Sequence, residues 1–211
     1  DEFKKKLESW GISNDSYVVV YDQGNGGFAS RLWWLLKCWL GHQNVVLLDG
    51  GLKKWIDAGL PLRQGQATID RGFFDAESDD EATISGDKIF KELVLNKNML
   101  LIDARDQSRF KGDFEPIDKK GGHIPGAINL PFEQNLNNKD EFIQSHQIKN
   151  NWDKILGKNS AKLDFSVMCG SGVTACHLVF SAEIAGLKRP KLYVGSWSDW
   201  IEHPKWSLVD D

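Results

Sequence analysis

The stretch VMCGSGVTACHLVF, residues 167–180, sets a cysteine directly after an apolar run, adds two glycines and two hydroxyl side chains, and continues as an apolar segment of helical length. Strand, tight loop and helix in that order make one unit of a parallel sheet covered by helices. Two readings compete for Cys169. It packs as a small hydrophobe, or it is a nucleophile in a cradle of main-chain N–H groups. The glycines favour the second. Gly170 and Gly172 let the backbone curl, so that N–H groups from Gly170, Ser171, Gly172, Val173 and Thr174 converge as an anion-binding nest. The following helix adds the positive end of its dipole, and Ser171 and Thr174 add hydroxyl donors. Such surroundings favour thiolate, the reactive form of cysteine, with no metal. Cys38 and Cys176 lie within apolar helical segments and read as packing residues, as does His177.

The same plan occurs twice. Residues 17–62 and 165–209 each read as an apolar strand, a Gly-rich loop, an apolar helix ending in glycine, a second strand, and a Trp-bearing helix. Gly41 and Gly186 stop the helices, and Trp55 and Trp200 each follow 14 residues later. Asp22 ends the first strand of one block where Cys169 ends that of the other. Short strands come from β-branched runs such as VVV at 18–20 bounded by turn residues. Strands alternating with helices imply an α/β fold with parallel sheets flanked by helices. In such sheets ligands bind beyond the carboxyl ends of strands, where Cys169 falls.

Residues 63–84 are polar and acid-rich and read as a linker. Residues 85–211 form a complete unit, opened by Ser85 as helix N-cap, with a helix to about residue 95, a strand at 99–103, and a turn and short strand in GHIPGAINLPF (122–132). Residues 1–62 lack a counterpart of LLIDAR and GHIPGA. Half a parallel sheet cannot bury its own faces, so an N-terminal segment of the same protein is expected to complete the first unit.

Composition narrows the function classes. The 211 residues are 41% hydrophobic and 27% charged with a net charge of −4, so no basic face for nucleic acid is expected. The Lys4–Lys6 triplet sits among acids and reads as a solvated helix face. Cys38, Cys169 and Cys176 form no CxxC, so neither a zinc site nor a dithiol, and no cofactor, is expected. Their odd number fits a reducing compartment, read as cytoplasmic. The longest apolar run, LWWLLKCWL, is broken by Lys37, which argues against a membrane span. A cysteine phosphatase needs an arginine six residues after its nucleophile to grip phosphate, and here that position is Ala175. A cradle without a clamp suits a small anion stored on the cysteine itself, such as a persulfide.

On these motifs the chain resembles the tandem-domain rhodaneses, the thiosulfate and 3-mercaptopyruvate sulfurtransferases. LLIDARDQSRFKGDFEPIDKKGGHIPGAINLPF is similar to the opening of that family's catalytic domain. VMCGSGVTACH is similar to its active-site loop, and LYVGSWSDW to its closing segment. Residues 17–62 are similar to the second half of the family's inactive domain, where Asp22 replaces the cysteine. The resemblance implies two rhodanese-like domains, the first only partly present and inactive (1–62), the second catalytic (85–211), with a pocket at their interface. It implies a double displacement in which Cys169 takes sulfur from a donor and passes it to cyanide, a small thiol or thioredoxin. CGSGVT is similar to the 3-mercaptopyruvate type of loop, the thiosulfate type carrying basic residues there. Arg109 matches an arginine that binds the donor's carboxylate, and Trp197 is expected on the pocket wall. A second arginine often follows the family's Glu-Pro. Here Ile117 takes its place, with Lys119 or Lys120 as substitutes, so thiosulfate stands as the alternative donor. Rhodanese-like domains also occur as non-catalytic binding modules.

Overall fold

The computed structural model describes residues 2–65, 67–157 and 164–206. The chain divides into two compact units, Asp1–Asp80 and Glu81–Asp211.

The first unit runs α1 (Glu2–Ser9), β1 (Val18–Val20), α2 (Ala29–Trp34), β2 (Val45–Leu47) and α3 (Gly51–Asp57). α2 continues as a π-helical turn, Leu35–Trp39. β1 and β2 pair in parallel, Val18 opposite Val45 and Val20 opposite Leu47. Valine favours this pleated geometry because its branched Cβ fits between neighbouring strands. Leu7, Trp33, Trp34, Leu36, Val45 and Phe74 are buried, and each such side chain contributes about 1.5–3 kcal/mol of transfer free energy.

The second unit runs α4 (Gly86–Ile89), β3 (Leu101–Asp103), α5 (Gln107–Lys111), β4 (Ile128–Asn129), α6 (Ser145–Leu156), β5 (Ser166–Met168), α7 (Ala175–Ile184), β6 (Lys191–Leu192) and α8 (Ser196–Trp200). Its strands lie in the order β4-β3-β5-β6, all parallel. The central strands β3 and β5 are buried along their length, as a sheet covered on both faces requires. Ser85 caps α4 by accepting the Lys88 N–H, and the helix continues as a π-helical turn to Leu95.

The segment read as a linker, 63–84, is shared between the two units. Phe73 and Asp75 exchange hydrogen bonds with Ser13 and Asn14, and Arg71 pairs with Glu8. Phe74 is buried against the His42 ring. At its other end Thr83 bridges to Leu192, and Ile84 donates to the Leu192 carbonyl. The boundary therefore falls at Asp80/Glu81, because a few apolar residues in this polar stretch tie its ends down.

No helix among the described residues is long and apolar enough to cross a membrane.

Candidate active site

The main chain ends β1 and β5 in the same way. Leu48 N–H donates to the Val20 carbonyl, and Tyr193 N–H to that of Val167, both at 2.9 Å. Beyond the strands, Leu52 N–H donates to Asp22 and Trp197 N–H to Cys169, at 2.8 and 3.0 Å. Asp22 and Cys169 are thus equivalent positions of the two units.

What surrounds them differs. The Asp22 carboxylate is held by four main-chain N–H groups of its own loop. Oδ1 accepts from Gly24 and Gly26 at 3.0 and 3.1 Å, and Oδ2 from Phe28 and Ala29 at 3.0 and 3.1 Å. This loop is an anion nest filled by a side chain. In the loop after Cys169, the N–H groups of Gly170, Ser171, Val173 and Thr174 donate to no acceptor among the described residues. Cys169 itself is 2% exposed, at the foot of that loop. α7 starts at Ala175 and directs its N-terminus there.

Gly172 has φ +72, and a side chain on it would run into the Val194 carbonyl. A left-handed glycine is therefore needed for the loop to lie on the β6–α8 turn. At Gly170 the close neighbour is chemical: a Cβ would stand 3.3 Å from Arg109 Nη2 and 3.7 Å from Nη1. Arg109 thus reaches the cysteine loop.

Several residues of this site were not singled out in the sequence. Ser196 accepts the Cys169 N–H at 3.1 Å and donates to the Tyr193 carbonyl at 2.8 Å. It does so at φ +56, a backbone state costing an L-residue roughly 1–2 kcal/mol. The equivalent position of the first unit is Gly51, φ +58, so GG at 50–51 against GS at 195–196 was the readable signal. Glu115 grips Arg109, taking Nε at 3.0 Å through both oxygens and Nη2 at 2.8 Å. Burial works to raise the Glu115 pKa, but the hydrogen bonds from Arg109, Asp118 and Ile117 outweigh it and hold it below the ordinary value. Asp118 Oδ2 lies 3.2 Å from Arg109 Nη2. The Ser198 hydroxyl stands 2.6 Å from Asp118 Oδ1 and 2.8 Å from the Gly170 carbonyl.

Beneath them Arg105 forms a buried pair with Asp103, Nη2 to Oδ2 at 2.7 Å, and stacks on the Trp197 ring 4.8 Å away. Trp197 is buried in the hydrophobic cluster of this unit, its indole N–H on the Lys120 carbonyl at 2.8 Å. Its ring backs Arg105. Of the two lysines considered beside Ile117, Lys119 is exposed and paired with Glu202, and Lys120 meets the site through its carbonyl, which accepts the Trp197 indole N–H. Ile117 is 76% exposed.

Ser171 is exposed, and Val173 and Thr174 are half-buried on the loop. Cys38, Cys176 and His177 are buried away from solvent, His177 stacked on Phe142. His123 holds its turn through Phe110, by a ring contact and a bond of Nδ1 to the carbonyl at 2.9 Å. Among the described residues no cluster of three His, Cys, Asp or Glu side chains could hold a metal ion.

Comparison with known proteins agrees with this geometry. The rhodanese-like domain model matches residues 1–58 and 87–203. A probable 3-mercaptopyruvate sulfurtransferase of Pseudomonas aeruginosa is 42% identical over 97% of this chain and 71% of its own length. The 3-mercaptopyruvate sulfurtransferase of Mus musculus is 34% identical over 91% of this chain and 65% of its own. The chain thus spans about two thirds of these relatives. The crystal structure of SseA from Escherichia coli superposes with a TM-score of 0.80 at 30% identity, covering 94% of this chain and 73% of that one. With a cysteine-bearing loop in one α/β unit, its carboxylate-filled double in the other, and family matches to both, the chain belongs to the rhodanese-like domain family.

Proposed function

We propose that this chain is a sulfurtransferase that carries sulfane sulfur on Cys169, with 3-mercaptopyruvate as donor. The observation that carries the reading is the contrast between the two loops. One nest already holds a negative charge at Asp22, and in its equivalent the N–H groups of Gly170, Ser171, Val173 and Thr174, just after Cys169, find no acceptor among the described residues. A persulfide anion supplies the missing charge. The Cys169 thiolate attacks the donor's sulfur, the carbon–sulfur bond breaks, and its electrons with the thiol proton leave as the methyl group of pyruvate. The residues 170–174 then hold the persulfide, Cys–S–S⁻. In the second half a thiolate acceptor, a small thiol or reduced thioredoxin, attacks the outer sulfur, and Cys169 departs as thiolate; cyanide gives thiocyanate in the same way. Arg109, beside Gly170, binds the donor's carboxylate as a planar, permanently charged fork. Trp197, Arg105 and Glu115 position that fork.

The names of the relatives support this reading. A thiosulfate sulfurtransferase of Gallus gallus, 33% identical over 95% of this chain, and the absence of a second arginine at Ile117 favour thiosulfate as the other donor to try. Intact-protein mass spectrometry tests both. Treatment with 3-mercaptopyruvate is expected to add one sulfur mass to the chain and to its Cys38→Ser variant, and none to Cys169→Ser. Sulfur retained by Cys169→Ser, or a chain that takes sulfur from neither donor, would refute the reading and leave a binding module.

A further inference from the structure

A guanidinium has two edges that can bind a carboxylate with two parallel hydrogen bonds, Nε with one Nη, and the pair of Nη atoms. Glu115 occupies the first edge of Arg109. The second faces the cysteine loop, with Nη1 and Nη2 both against Gly170. Nη1 makes no hydrogen bond among the described residues, whereas Nη2 is taken by Asp118 at 3.2 Å. A two-point grip on an incoming carboxylate therefore requires Asp118 to give up Nη2.

We propose that Asp118 is a specificity-determining residue of this site, an internal carboxylate that competes with the donor's carboxylate for the free edge of Arg109. The inference rests on the sulfur-transfer reading and deepens it. Three observations support it. First, the contact is of the exchangeable kind: Asp118 makes one bond to Arg109, at the long end of the normal range, where Glu115 takes Nε through both oxygens at 3.0 Å and approaches Nη2 to 2.8 Å. Second, Asp118 is the surplus charge. Arg105 and Arg109 face Asp103, Glu115 and Asp118, and the first two acids already match the two guanidiniums. The neighbouring Ile117 is apolar, and Lys119 is spent on Glu202. An anionic donor thus meets a cluster with one more carboxylate than guanidiniums, and gains the free edge of Arg109 only when Asp118 turns from it. Third, Asp118 has a second anchor. Ser198 holds Oδ1, so the carboxylate can release Arg109 and remain hydrogen-bonded. The Asp118 side chain, 9% exposed, would shift within the site and not into bulk water.

The inference separates donors by their carboxylate. Removing the charge of Asp118 strengthens binding of a donor that carries one and leaves alone a donor in which it is esterified. The test uses the whole chain and its Asp118→Asn variant, with Asp118→Ser as a second variant should the amide not fold. Two readouts are taken: the affinity for pyruvate by calorimetry, and steady-state kinetics with 3-mercaptopyruvate and its methyl ester. Asp118→Asn is expected to bind pyruvate about fivefold more tightly, the order of one partly shielded charge-assisted hydrogen bond. KM for 3-mercaptopyruvate is expected to fall by a similar factor with kcat within twofold, and kcat/KM for the ester to stay unchanged. Pyruvate affinity that is equal or weaker in a folded variant overturns the proposal, as does an equal gain for acid and ester. If no chain takes sulfur from any donor, the sulfur-transfer reading fails while pyruvate binding still decides the role of Asp118.

Discussion

Replacing Asp22 by alanine removes one carboxylate and strands four N–H groups. A hydrogen bond to a charged group contributes about 1.5–3 kcal/mol net when well shielded. Part of this loop is solvent-accessible, so water re-solvates some of the released donors and each bond is worth closer to ~1 kcal/mol. Four bonds, not fully additive, give an expected loss of about 3–4 kcal/mol, a large share of the roughly 5–15 kcal/mol that holds a domain folded. Asp22→Asn should lie between, because its carbonyl can still serve Gly24 and Gly26 while its NH₂ opposes the N–H groups of Phe28 and Ala29. Urea denaturation followed by tryptophan fluorescence gives the loss, since Trp33 and Trp34 are buried on the helix that follows the loop. Amide hydrogen exchange at Gly24, Gly26, Phe28 and Ala29 locates it. Added formate, a carboxylate without a tether, should restore part of the stability of the alanine variant and none to the parent. An alanine variant within ~1 kcal/mol of the parent, with exchange at those four amides unchanged, would show that the carboxylate is not what holds this loop.

Gly170→Ala brings a methyl group to 3.3 Å from Arg109 Nη2, so the guanidinium must shift by a few tenths of an ångström. The expected result is a raised KM for 3-mercaptopyruvate in steady-state kinetics, with stability changed by less than ~1 kcal/mol in a thermal melt; an unchanged KM would contradict the placement of Arg109. Burial, and then the hydrogen bond to Asp199 at 2.6 Å, raise the Tyr193 pKa well above its usual value. The folded state therefore keeps this proton where the unfolded chain, titrating near pH 10, gives it up. The stability it contributes is complete below about pH 10 and falls as pH rises beyond it. Urea midpoints between pH 8 and 11 should decline less steeply for Tyr193→Phe than for the parent.

Much of this was legible before any coordinates. The strands and helices are short and bounded by glycines, so the pattern of VVV, Gly and Trp fixed the two-block plan and aligned Asp22 with Cys169. Arg109 was legible through resemblance, because nothing local to SRF says that its side chain turns back to a loop 60 residues later. The carboxylates that orient it were not. Glu115 and Asp118 lie in a polar stretch that looks like solvent-facing loop, and Ser198 meets Asp118 across 80 residues of sequence. Polar networks of this kind leave no periodicity to read, unlike an apolar helix face. The 63–84 stretch misled for a related reason. Its acids mask Phe74, and that buried aromatic, with the bonds of Phe73 and Asp75 to Ser13 and Asn14, docks a segment that composition marks as free.

The two matched loops differ in how permanently they are satisfied. A tethered carboxylate cannot dissociate, so the Asp22 turn keeps its internal ligand for as long as the chain is folded. The Cys169 turn depends on cargo. On the proposed chemistry its amides are fully engaged only between acquisition and delivery, and by mass action whatever binds the folded form tightens it. The resting enzyme would then be the looser of its two states, and its melting temperature a gauge of how much of it is charged with sulfur.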